Sequence, residues 1–147
     1  GYLGKKFGDI LFDRIRWENP EIDVIIPVPI HNNRMKKRGY NQTELMAARL
    51  AQRWGKTLAA DSLQRVKETT LLRSLSPVER ESALRGAFAV TKKGESEIKG
   101  KAVLLVDDIY TTGATIEECC RVLLEGGAAA VDFLTLASGG NRRPKGL

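Results

Sequence analysis

The sequence predicts an α/β protein, a mostly parallel twisted sheet with helices on both faces. Ala102-Val103-Leu104-Leu105-Val106 is an unbroken apolar run bounded by turn residues. Such a run reads as a strand buried on both faces, as in a parallel sheet. An amphipathic segment from Ile116 to Glu125 follows it, with Ile116, Cys119, Cys120, Leu123 and Leu124 on one helical face. Gly126-Gly127 stops that helix. A second apolar run, Ile22 to Val28, precedes another helical pattern, Gln42 to Trp54. Both stretches have the order strand, loop, helix.

The remaining elements follow from local signals. Tyr2 to Trp17 places Leu3, Phe7, Ile10, Leu11, Phe12, Ile15 and Trp17 at amphipathic spacing, a helix for packing over the sheet, broken by Glu18-Asn19-Pro20. Pro27 and Pro29 end the pairing of the first strand and stiffen its exit. Asn41 or Gly39 can cap the helix Gln42 to Trp54, which has apolar Leu45, Met46, Ala48 and Leu50 and stops at Gly55. Leu63 to Val66 reads as a short strand. Arg65 to Arg73 shows no periodicity and is expected to be a mobile loop. Ser76-Pro77-Val78-Glu79 is a helix start, with a capping Ser, Pro at the first position and Glu at the third. That helix ends near Gly86. Ala87 to Val90 is a strand, Lys92 to Gly100 a polar turn and Ala129 to Ala137 the last strand. Residues 1–140 form one expected domain, and 141–147 a flexible basic tail.

The 147 residues suffice for one domain with its own core, and 42% hydrophobic content is ordinary for a soluble protein. No apolar run approaches the roughly 20 residues that cross a bilayer, so membrane insertion is not expected. No signal segment opens the chain, and the expected compartment is the cytoplasm. Cys119 and Cys120 are adjacent on a helix and point apart, so a disulfide between them is not expected. With His31 far away they make no zinc site. The net charge of +6 and pI near 9.5 suit an anionic partner: a polyphosphate, a nucleic acid or an acidic surface.

The stretch Asp107-Asp108-Ile109-Tyr110-Thr111-Thr112-Gly113-Ala114-Thr115 carries the chemistry. Ligands of open α/β sheets bind outside the carboxyl ends of the strands, where Asp107 and Asp108 stand. Carboxylates there can accept hydrogen bonds from vicinal hydroxyls. Residues 111–115 open a helix whose free N–H groups and positive dipole end favour an anion. Gly113 lets the anion approach the backbone, and the threonine hydroxyls add donors. Each half has an ordinary alternative: the acids as a magnesium site or a solvated turn, the threonines as a plain helix cap. Together and in this order they describe a site for a sugar phosphate. No Gly-Lys-Ser/Thr follows, so the loop is not a P-loop. The loop after the first strand holds Arg34, Lys36, Lys37 and Arg38 among the eight residues from His31, and lies at the same sheet edge. It can neutralise a diphosphate, or form a basic patch for nucleic acid. Tyr40 is its one aromatic, so base stacking has little support.

Val103 to Thr115 resembles the thirteen-residue motif of type I phosphoribosyltransferases that binds 5-phosphoribosyl 1-pyrophosphate (PRPP). The resemblance implies a type I phosphoribosyltransferase-like fold. It implies that Asp107 and Asp108 bind the ribose hydroxyls and that Thr111, Thr112, Gly113, Ala114 and Thr115 cradle the 5′-phosphate. Arg34, Lys37 and Arg38 are the expected pyrophosphate ligands. Arg65, Lys67 and Arg73 are the expected catalytic cations of a closing loop. Mg²⁺ is the implied cofactor, bound mainly through PRPP, and no metal ligands of the protein are assigned.

The whole chain resembles the C-terminal phosphoribosyltransferase domain of the ComF (GntX-like) competence family. The resemblance is carried by Pro27-Val28-Pro29, by Arg38-Gly39-Tyr40-Asn41-Gln42, and by Leu63, Arg65, Thr69, Leu75, Arg80, Gly86, Ala87 and Phe88. Leu72 replaces a usual Gln, and Ala83 a usual Asn. The N-terminal four-cysteine zinc module common in that family is absent, so the chain reads as a fragment or a short member. Purine-salvage relatives place Asp where Thr111 stands and Lys where Ala114 stands, so salvage of hypoxanthine or guanine is not expected. The implied reaction transfers phosphoribosyl from Mg-PRPP to an unidentified nitrogen nucleophile and releases pyrophosphate. The alternative is a non-catalytic PRPP-binding module that acts in DNA uptake through a protein or DNA partner.

Overall fold

The structure, a computed structural model, describes residues 21–29, 42–67, 76–108 and 113–136, with the backbone alone for Gln42, Arg80, Asp108 and Leu136. The helix expected over Tyr2 to Trp17, the loop with Arg34, Lys37 and Arg38, Arg73, Thr111, Thr112 and the tail 141–147 lie outside the described residues. In chain order the elements are β1 (Val24–Pro27), α1 (Gln42–Trp54), β2 (Thr57–Leu58), β3 (Leu63–Arg65), α2 (Pro77–Leu84), β4 (Phe88–Val90), α3 (Lys92–Ile98), β5 (Ala102–Asp108), α4 (Gly113–Glu125) and β6 (Ala130–Leu136).

Four of the strands make one parallel sheet in the order β2-β1-β5-β6. Its two central strands are apolar because both faces are covered, and successive side chains of a strand serve opposite faces. Val24, Ile26 and Val28 of β1 and its exit, with Val103 and Leu105 of β5, pack with Ile116, Cys119 and Leu123 of α4. Ile25, Leu104 and Val106 point the other way and pack with Ala47, Leu50 and Ala51 of α1. Helices therefore cover both faces, as expected from the sequence. Asp23 locks the entry to the sheet: its N–H donates to the Ala102 carbonyl and its Oδ2 accepts from the Ala102 N–H, both at 2.9 Å.

The other two strands, β3 and β4, form an antiparallel pair that pairs Leu63 with Val90 and Arg65 with Phe88. Leu63 and Phe88 join the core cluster on the α4 side of the sheet. α2 begins as its sequence demands. Glu79 N–H donates to Ser76 Oγ at 3.2 Å, Ser76 N–H donates to Glu79 Oε1 at 3.0 Å, and Pro77 occupies the first turn. The exposed Glu79 carboxyl is held below its usual range, chiefly by the Ser76 backbone hydrogen bond.

One expectation is corrected. Lys92 to Gly100 is not a turn: it contains the helix α3, capped by Thr91, whose Oγ1 accepts from Gly94 N–H at 2.9 Å. Ile98 is its single fully buried apolar side chain, too little to give a periodic pattern. Long-range contacts hold the helix instead. Thr91 N–H donates to the Ser62 carbonyl at 2.9 Å and Ser62 Oγ donates to Glu97 at 3.0 Å. The short β2, two residues long, also went unforeseen.

Gly94 is where α3 meets the backbone of Ser62, and a Cβ there would stand 2.4 Å from the Ser62 oxygen and 2.7 Å from its Cα. Alanine would gain about 1 kcal/mol of helix propensity. Overpacking against backbone costs about 1–3 kcal/mol, and backbone cannot swing aside as a side-chain tip can. Gly94→Ala is therefore expected to lower the urea midpoint at unchanged slope. An unchanged or raised midpoint would show that α3 can shift without loss.

Candidate functional site

The candidate site stands at the carboxyl end of β5. Val103, Leu104, Leu105 and Val106 are at most 1% exposed, so β5 is fixed between its neighbours before it reaches the acids. Its pairing with β1 ends at Pro27 opposite Val106, and Val28 N–H donates to the Val106 carbonyl at 2.8 Å. Its pairing with β6 continues through Asp107 opposite Thr135 and Asp108 opposite Leu136. The two acidic residues thus extend past β1 at the edge where the chain leaves β1 through Val28 and Pro29. That exit leads directly into the basic segment with Arg34, Lys37 and Arg38.

Asp107 is only 1% exposed. By strand alternation it shares a face with Val103 and Leu105, toward α4. Its charge acts on the Cys119 thiol, which burial above all, and then Asp107, pushes far above the usual thiol range. Burial likewise raises Cys120 to about 11. Both cysteines are free thiols, and burial favours their neutral form.

The helix α4 starts five residues beyond Asp108, at Gly113. Its first turn holds no acidic side chain, so no carboxylate of its own offsets the positive end of the dipole or its N–H groups. Gly113 is exposed, and a Cβ there would meet nothing within 4 Å. The space beside its backbone is open to a ligand. Ala114 is half-buried against the core, and Thr115 is 3% exposed. Asp107 and Asp108 thus end β5, and Gly113, Ala114 and Thr115 open the helix that follows it. Thr111 and Thr112 lie between them in sequence, outside the described residues.

Arg65 ends β3. It is half-buried, its guanidinium lies 5.4 Å from the centre of the Phe88 ring, and its Nε donates to the Lys67 carbonyl at 3.3 Å. Its charge also acts on Cys119, against that of Asp107. Lys67 is exposed.

The chain carries a net charge of +6, and four of its cationic side chains fall in the run from Arg34 to Arg38. Among the described residues no group of three or more His, Cys, Asp or Glu is placed to hold a metal by itself. Among them, too, no helix is long and apolar enough to cross a membrane.

Sequence reasoning missed Glu118. It is 9% exposed in α4, its Oε2 accepts from the Gly86 N–H at 3.0 Å, and Arg121 Nε donates to its Oε1 at 2.9 Å. The Arg121 hydrogen bond holds its carboxyl below the usual range, against the opposing effect of burial. The sequence signal was present but ambiguous, since Glu and Arg three apart on a helix read as a solvated pair.

A family model described as phosphoribosyl transferase domain matches residues 41–146. Competence protein F of Haemophilus influenzae is 35% identical over 116 residues, 78% of this chain and 50% of its own length. DNA utilization protein YhgH of Salmonella typhi is 33% identical over 128 residues, 87% of this chain and 55% of its own. Competence protein ComFC of Bacillus subtilis is 33% identical over 119 residues, 77% of this chain and 43% of its own. The chain spans about half the length of the curated relatives it matches. Among solved structures, the glutamine PRPP amidotransferase from B. subtilis aligns with a TM-score of 0.56 at 22% identity, over 90% of this chain and 26% of that one. A hypoxanthine phosphoribosyltransferase from Staphylococcus aureus aligns at 0.54 and 16%, over 97% and 67%. At these identities the likeness is one of fold.

Proposed function

The chain belongs to the phosphoribosyl transferase domain family, with relatives among the competence F and ComFC proteins, and we propose that it binds PRPP and transfers its phosphoribosyl group to a nitrogen nucleophile. The observation that supports this reading is that Asp107 and Asp108 end β5 and that α4 begins five residues further on, at Gly113. Carboxylates suit vicinal hydroxyls, and the start of a helix with no acidic side chain in its first turn suits a phosphate.

In the proposed reaction the bond between ribose C1 and the pyrophosphate oxygen breaks, and pyrophosphate leaves with the electron pair. The nitrogen lone pair forms the new bond to C1, and the nitrogen then gives up a proton. The protein's part is positioning and charge neutralisation. Asp107 and Asp108 orient the ribose. Gly113, Ala114, Thr115 and the preceding Thr111 and Thr112 hold the 5′-phosphate. Arg34, Lys37 and Arg38 meet the diphosphate, and Arg65, Lys67 and Arg73 close over it and exclude water from C1. Two adjacent carboxylates suit a hard cation that binds chiefly through substrate phosphates. Mg²⁺ bound in this way would supply charge neutralisation of the leaving pyrophosphate.

A second reading comes from the names of the relatives, competence and DNA utilization proteins: a module that binds PRPP without turnover and acts in DNA uptake through a partner. The chain's net charge of +6 suits a DNA partner as well as a diphosphate. Pyrophosphate release from Mg-PRPP, measured with a panel of ammonia, amines and free bases, tests the choice. Release with ammonia or an amine, and little with purine bases, is the expected result. PRPP binding without release by any nucleophile would favour the module, and no binding at all would overturn both.

A further inference from the structure

Glu118 links α4 to the segment that carries Arg65 and Lys67. Its Oε2 accepts from Gly86 N–H at 3.0 Å. Arg121 braces the carboxylate from the same helix and reaches on to Glu125 Oε2 at 2.6 Å. Gly86 has φ +75° with open space where a Cβ would stand, so glycine serves the backbone conformation there and not the packing. That conformation turns the N–H toward α4. The neighbouring Ala87 is fully buried, and its carbonyl accepts from Val66 N–H at 2.8 Å. Phe88 pairs with Arg65 across the β3–β4 ladder and carries the Arg65 guanidinium on its ring. A continuous set of contacts therefore runs from Glu118 through Gly86, Ala87 and Phe88 to Arg65 and Val66. Thr115 stands one turn before Glu118 on the same helix.

We propose that Glu118 is a positioning residue that fixes the stem of the 66–87 segment to the phosphate-binding helix. It thereby holds Arg65 and Lys67 where they can meet the diphosphate of the ligand. The inference deepens the PRPP reading and rests on it for the ligand, but the clasp itself is made by residues of the chain alone. A solvated surface pair would leave the carboxylate exposed and bonded only within its helix. Glu118 is nearly buried and bonds across to another element.

Three variants test it. Glu118→Gln keeps an oxygen for the Gly86 N–H, Glu118→Leu removes it, and Glu118→Asp keeps the charge with a shorter reach. Hydrogen exchange of the ligand-free protein and calorimetry with PRPP and with ribose 5-phosphate are measured for each. Glu118→Leu should speed exchange at residues 65–67 and 86–88 by about tenfold and leave β1 and β5 unchanged. It should also weaken PRPP more than ribose 5-phosphate, because only PRPP carries the diphosphate. Glu118→Gln should restore both readouts. Glu118→Asp should move both in the direction of Leu, and it carries the test if the Leu variant does not fold. Unchanged exchange at 86–88, a uniform rise over the whole sheet, or equal losses for both ligands would overturn the proposal. If the unmodified protein binds neither ligand, the PRPP reading fails, and the exchange data still decide whether Glu118 fixes the stem.

Discussion

Replacing Asp107 and Asp108 together by asparagine is expected to weaken Mg-PRPP binding more than tenfold, about 1.4 kcal/mol. Asparagine keeps the size of each side chain but exchanges one acceptor oxygen for a donor NH₂, which faces a hydroxyl proton badly. Hydrogen bonds to charged groups are worth about 1.5–3 kcal/mol each, so losing even one of two accounts for the stated change. The near-complete burial of Asp107 makes the single variants informative. Asp107→Asn also alters a carboxylate packed beside the core and should lower the melting temperature. Asp108→Asn, beyond the end of β1, should lose affinity with little change in stability. Calorimetry that gives the double variant unchanged affinity at intact folding would remove the ribose role from both residues.

The sequence announced most of the framework wherever several local signals agreed. α1 runs from Gln42 to Trp54, the predicted limits, because apolar periodicity and the stop at Gly55 coincide. α2 begins at the predicted Ser76 cap because its capping box is purely local. The double-sided burial of β5 follows from its unbroken apolar run. α3 was invisible because its stability comes from Ser62, which lies outside it in sequence. The antiparallel pairing of β3 with β4 depends on where α2 turns the chain, and no short motif encodes that. For the site, the acidic pair and the start of α4 were legible as a strand-loop-helix unit. The burial of Asp107 was not, since it arises from β6 and α4 packing around the end of the strand. Nor was the Glu118 contact with Gly86, which joins residues 32 apart.

The position of the site depends on the centre of the sheet, and Leu105→Ala is expected to show this as the largest loss of stability. Leu105 is fully buried between β1 and β6 and belongs to the core cluster that includes Cys119 and Leu123 of α4. Truncating a buried leucine costs about 2–5 kcal/mol, the transfer free energy plus the cavity left behind. The upper half of that range applies where neighbours cannot collapse. Strand neighbours on both sides and α4 above leave Leu105 little room for that. Small domains are stable by only about 5–15 kcal/mol in total, so a marginal protein could lose a large share of its stability. The void would open under the face that Asp107 shares with Leu105, next to the helix that begins at Gly113. Urea denaturation should therefore show a lower midpoint at unchanged slope. Leu105→Met, close to volume-conserving, should cost less than about 1.5 kcal/mol. Equal losses for the two variants would mean that the site's support comes from the backbone ladder of β5 and not from packing beneath it.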